Sequence, residues 1–125
     1  MNKSHFTRVR TQFRDLDRMR TALVDLGYTV EEGAVRGYQG RQEKADIVVR
    51  TDTDFDIGFR REGESVIMVG DFWGLRINRS EFLQQVTQRY AYLTVSEQAA
   101  ANGWQMTTEE VQEDGSIRLV MQRWA

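Results

Sequence analysis

The chain has 125 residues, 40% of them hydrophobic and 29% charged, with a formal net charge of −2. That length predicts one domain, residues 1–125, with a sizeable core, and the near-neutral charge removes any global pull toward nucleic acid or an anionic membrane. Cysteine and proline are absent, which excludes disulfides, thiolate nucleophiles, cysteine-based metal or iron–sulfur sites and slow X-Pro isomerisation.

Residues 4–13 alternate Val9, Thr11 and Phe13 with Arg8, Arg10 and Gln12, a strand pattern. Asp15 opens a helix whose apolar face is Leu16, Met19, Leu23 and Leu26, and Gly27 ends it. A short strand over 28–32 leads into a glycine-containing connection, 33–44, and alternating Ile47 and Val49 mark another strand. Asp52-Thr53-Asp54 reads as a turn. Phe55, Ile57 and Phe59 then alternate with Asp56, Gly58 and Arg60, so one face should be core and the other, with Asp56, solvated. Glu62-Gly63 is a hairpin turn, and the return strand, 65–72, is apolar enough at its centre to lie near the middle of a sheet.

The longest predicted helix runs between Asn78, which with Glu81 makes a capping-box pattern, and the stop signal Asn102-Gly103. Phe82, Val86, Tyr90 and Leu93 form its buried stripe, and Gln85, Gln88, Arg89 and Tyr92 its polar side. A hairpin closes the chain, 104–111 and 116–124 around Asp114-Gly115, with Ile117, Leu119 and Met121 facing inward. Leu26-Gly27-Tyr28 is echoed by Asn102-Gly103-Trp104, each followed by two strands, which allows a β-α-β-β pseudo-repeat. The expected architecture is an α+β two-layer sandwich, a mostly antiparallel sheet of six or seven strands with two helices on one face. No apolar run is long enough to span a membrane, and the basic N-terminus lacks a signal-peptide core, so a cytoplasmic protein is expected.

No residue set forms a catalytic signature. His5, the single histidine, has no second histidine or cysteine to complete a metal site, and fits a hydrogen-bonded structural role on the side of Val9 and Phe13. Gly33, Gly37 and Gly40, with Arg36, Arg41 and Lys44 around Tyr38, could cradle an anion, although the spacing is not that of a phosphate-binding loop. Asp56 and Asp71 could do acid–base work if close, or serve the fold, Asp71 by anchoring the turn into the long helix. Arg8, Arg10, Arg60 and Arg118 fall at non-core strand positions and would form a cationic stripe on a helix-free face if their strands are neighbours. Arg89 with Tyr92 is a typical interface pair on the long helix.

Six segments carry a resemblance: SHF at Ser4–Phe6, RGYQG at Arg36–Gly40, EKA at Glu43–Ala45, FDIGF at Phe55–Phe59, QRYAY at Gln88–Tyr92 and EDGSIRLV at Glu113–Val120. In order and spacing they resemble the thirty-fifth hypothetical plastid open-reading-frame family of cyanobacteria and algal plastids, also catalogued as a bacterial domain of unknown function. The match spans essentially the whole chain; Gly70–Arg79 is more compact than in relatives. The resemblance implies no established reaction and no cofactor. Its bacterial members are often encoded near a ferredoxin-like protein and an AAA-type ATPase, which implies an accessory role in a complex. The expectation is an adaptor or assembly factor acting through protein contacts at Arg8, Arg10, Arg60 and Arg118 or at Arg89 and Tyr92. The alternatives are a small-anion or metabolite-binding module using His5, Arg36 and Tyr38, and a nucleic-acid binder using the arginine stripe.

Overall fold

The computed structural model of the protein describes residues 5–123, with side chains at all of these except 106–108 and 117. The described elements are β1 (Thr7–Arg10), α1 (Leu16–Asp25), β2 (Thr29–Arg36), a 3-10 turn (Tyr38–Gly40), β3 (Gln42–Arg50), β4 (Ile57–Glu62), β5 (Ser65–Gly70), α2 (Arg79–Ala101), β6 (Trp104–Val111) and β7 (Ile117–Arg123). The α+β class, the antiparallel pairing and both helices on one face are as the sequence predicts. The seven described strands, however, are divided. Five form one sheet in the order β1-β5-β4-β3-β2, and β6-β7 is a separate hairpin. The two halves therefore do not join as one β-α-β-β pseudo-repeat.

The physical reason lies in α2. It has 23 residues, about 35 Å of helix, yet its fully buried residues are Phe82 and Val86, both near its start. The rest of the helix runs on with Tyr90 and Leu93 only half-buried, and the hairpin leans on it rather than on a sheet edge. Asn78 caps the helix as predicted, its Oδ1 accepting from the Glu81 amide at 3.1 Å. Gly103 ends it at φ 79°, a left-handed conformation that costs a residue with a Cβ. Gly103→Val should destabilise by about 1 kcal/mol or more, read in a urea melt.

Both helices cover the sheet face built from Ile47, Val49, Ile57, Phe59, Val66 and Met68. Met19 and Leu23 enter from α1, Phe82 and Val86 from α2. The rings interlock: Phe59 stacks near Phe82 at 6.2 Å and meets Phe13 edge-on at 6.3 Å, and Tyr28 meets Phe82 at 5.4 Å. Burying these side chains at about 25 cal/mol per Å² of apolar area is what drives the two layers together.

Several expectations are corrected in detail. Leu26 occupies the cap position after α1, outside the helical stripe, and is exposed; Leu16 is half-buried. The first strand is shorter than 4–13, and Phe13 reaches the core from the loop beyond it. The glycine-containing segment is mostly strand: β2 runs on to Arg36, and only 37–41 is a connection. Against β2, β3 carries a bulge, because the step from Glu31 to Gly33 is matched by the longer step from Val48 to Ala45. Ser4, Trp124 and the side chain of Ile117, used in the sequence-based strand assignments, lie outside the described residues.

Candidate functional site

Asp56 begins the story of the polar face. The sequence places it in solvent; the structure buries it completely. Its backbone amide donates to the Arg36 carbonyl at 3.1 Å, which draws the residue against the end of β2. Its Oδ2 accepts from the Arg36 amide, Arg36 Nε and Arg50 Nη1 at 3.0, 2.7 and 2.7 Å, and its Oδ1 accepts from Arg36 Nη2 at 2.8 Å. Burial alone would push this carboxyl up; hydrogen bonds from the Arg36 side chain and backbone and from Arg50 outweigh it and hold the carboxyl below the usual range. In return the Arg36 guanidinium is held above its ordinary value chiefly by its hydrogen bond to Asp56, and Arg50 chiefly by its bond to Glu31. With four donors on it, Asp56 is a structural keystone, not half of an acid–base pair.

Asp71 is buried separately. Its Oδ2 accepts from the Tyr38 amide at 3.2 Å, and its carbonyl accepts from the amides of Gly74 and Leu75, both at 3.2 Å. It anchors the turn leading to α2, as the sequence suggests, and also ties that turn to the β2–β3 connection.

The arginine stripe is only partly assembled. Register puts Arg10, Ile67 and Arg60 in one cross-strand row and Arg8 opposite Val69 in the next, so three arginines share the helix-free face. Arg118 does not join them: it lies on β7, in the separate hairpin. Glu43 sits between two of the three, 2.6 Å from Arg8 and 3.1 Å from Arg60, and Glu62 lies 2.7 Å from Arg60. The Arg60 guanidinium is held above its ordinary value, first by its bond to Glu62 and then, against burial, by Glu43. Arg8 and Arg60 are thus neutralised in part from within, while Arg10 enters no ion pair among the described residues.

Arg36 and Tyr38 line a cleft of about 730 Å³ between the β2–β3 connection, the 52–55 turn and the segment before α2. Arg41, Asp52, Asp54 and Arg76 complete its charged lining. His5 does not line it; it lies exposed ahead of β1. Arg41 belongs to the anion cradle that the sequence suggests, whereas Arg76 is the position that the sequence could not assign. Arg76 is 40 residues from Arg36, and only folding brings the two segments to one cleft.

The polar side of α2 is partly occupied from within. Arg89 donates to Asp25 at 3.0 Å, lies 3.6 Å from Glu109 on β6, and stacks over the Tyr92 ring at 4.2 Å. Arg89 and Gln88 also line a small groove with Leu26, Val111 and Gly115, where the hairpin meets the two helices. Next to it the hairpin leaves apolar groups in water: Val111 is 68% exposed, Trp104 and Val120 40% each.

Comparison with known proteins agrees with these motifs. Residues 22–120 match the family described as "Protein of unknown function (DUF1257)". An uncharacterized protein ycf35 from Guillardia theta is 36% identical over 97% of this chain and 98% of its own length. Its namesakes from Cyanophora paradoxa and Pyropia yezoensis are 33% and 32% identical, each again over 97% of this chain and 98% of the relative. No solved structure matches. No described helix is long and apolar enough to cross a membrane. A family match over most of the chain, together with end-to-end similarity to three relatives, makes this protein a member of the DUF1257 family, to which no function is assigned.

Proposed function

We propose that this protein is an adaptor or assembly factor, working in a cytosol or plastid stroma, whose partner docks on the C-terminal hairpin and the adjoining side of α2. The carrying observation is the hairpin itself. A two-stranded hairpin is marginal in water, and among the described residues β6-β7 joins no larger sheet and leans on one helix, while Val111 is largely uncovered and Trp104 and Val120 are 40% exposed. A partner that covers these groups would supply the missing apolar contact, and Arg89 with Tyr92 beside them is a suitable anchor pair. The arginine stripe is the weaker surface, because Glu43 and Glu62 already neutralise Arg60.

Affinity capture from the cell that makes the protein, read by mass spectrometry, tests this. The double variant Val111→Glu, Val120→Glu should lose the partner that the wild type retains, while Arg60→Glu retains it. The hairpin variant should melt within about 1 kcal/mol of wild type, because both valines are exposed, whereas Arg60→Glu, which sets a third carboxylate beside Glu43 and Glu62, should melt lower and still retain the partner. Retention of every partner by the hairpin variant, or recovery of no partner by the wild type, overturns the proposal.

A further inference from the structure

We propose that the cleft lined by Arg36, Tyr38, Arg41, Asp52, Asp54 and Arg76 is a binding site for a nucleoside phosphate. This does not depend on the hairpin surface, which lies on other elements.

Its size is the first support. At about 730 Å³ it falls within the ~300–1,000 Å³ typical of small-molecule sites. Its charges are the second. Arg36 is committed to Asp56, but Arg41 and Arg76 enter no ion pair among the described residues, and neither do Asp52 and Asp54. On the helix-free sheet face, by contrast, Arg8 and Arg60 pair off with Glu43. Two cations and two anions that share one cleft without neutralising one another suit a ligand carrying both an anion and hydrogen-bond donors.

The walls are fixed in place. Phe55 lies so close to Gly74 that a Cβ there would fall 1.9 Å from its ring, and Phe6 closes on Gly37 in the same way, at 2.8 Å. The 51–55 turn is tied by the Thr51 and Thr53 hydroxyls, which both donate to the Phe55 carbonyl. Tyr38 is held through its amide by Asp71. Gln39, between Tyr38 and Gly40, sits at φ 55°, the single non-glycine residue with positive φ among those described, and such strain persists where the surroundings enforce it. Pre-set walls spare a ligand the cost of ordering them.

The lining divides by chemistry. The planar guanidinium forks of Arg41 and Arg76 match phosphate oxygens. The carboxylates of Asp52 and Asp54 accept from ribose hydroxyls. The Tyr38 ring, 37% exposed at the cleft, offers a face for a base. An inorganic anion would use the arginines alone and leave the carboxylates opposing it.

Amide-resolved NMR titration of the full chain with AMP, GMP, CMP and UMP tests the assignment, with adenosine and inorganic phosphate as controls. At least one nucleotide should shift amides of 37–42, 52–55 and 74–76 with a dissociation constant below about 1 mM. Adenosine and inorganic phosphate should each bind at least ~10-fold more weakly, because each lacks one part of the recognition. Arg41→Ser and Arg76→Ser should each weaken the nucleotide ~10-fold while the spectrum outside the cleft stays that of the wild type. No shifts in these segments at about 5 mM nucleotide overturn the proposal, as do inorganic phosphate binding as tightly as the nucleotide and undiminished affinity in both serine variants.

Discussion

Asp56→Ala should destabilise the protein by about 3 kcal/mol, the lower end of the range for breaking a buried ion pair. The lower end applies because Arg36 and Arg50, though stripped of their shared acceptor, still reach water at 38% and 26% side-chain exposure. Much of the loss is geometric. Asp56 is the point where the end of β2, the end of β3 and the start of β4 are hydrogen-bonded together. Asp56→Asn keeps the shape and one acceptor oxygen, so it should cost less than the alanine. Acid provides an independent reading. The folded-state pKa of Asp56 is lowered, so its contribution is full above the unfolded value of about 3.9 and is lost as pH falls through the still lower folded value. In urea melts between about pH 6 and pH 2, wild-type stability should fall more steeply than that of Asp56→Asn, and parallel curves would show that the carboxylate is not what these arginines hold.

Phe59→Ala should cost about 3–5 kcal/mol, the largest effect expected of any core truncation here. Phe59 is fully buried on β4, with a strand on either side, and its ring touches Phe13 from the loop after β1 and Phe82 from α2. Removing it opens a cavity between the layers that neither strand nor helix can close, because β4 is held by β3 and β5 through the sheet ladder. Thermal melts should show a Tm lower by roughly 10–20 °C. A drop of only a few degrees would mean that α2 settles onto the sheet and fills the space.

Legibility from sequence followed the range of the interactions concerned. The start of α2 at Asn78, its stop at Gly103, the turns at Asp52–Asp54, Gly63 and Asp114-Gly115, and the alternation of β4 all rest on contacts within a few residues. Local sterics and hydrogen bonds decide such features before the chain folds, so the sequence determined them. It also determined the family, through motifs read in order. Asp56 shows where that stops. A carboxylate between Phe55 and Ile57 looks the same whether it faces water or two arginines, and the arginines that bury it are 20 and 6 residues away.

Tertiary structure alone decided three things. It placed Arg118 outside the stripe, because strand spacing does not reveal that β7 pairs with β6 rather than joining the five-stranded sheet. It set Glu43 beside Arg8 and Arg60, so that two cations of the row are paired from within. And it brought Arg41 and Arg76 to one cleft with Asp52 and Asp54. Each depends on which strands and loops become neighbours, a choice made by burial of the common core rather than by any local pattern, and so invisible until the two layers are assembled.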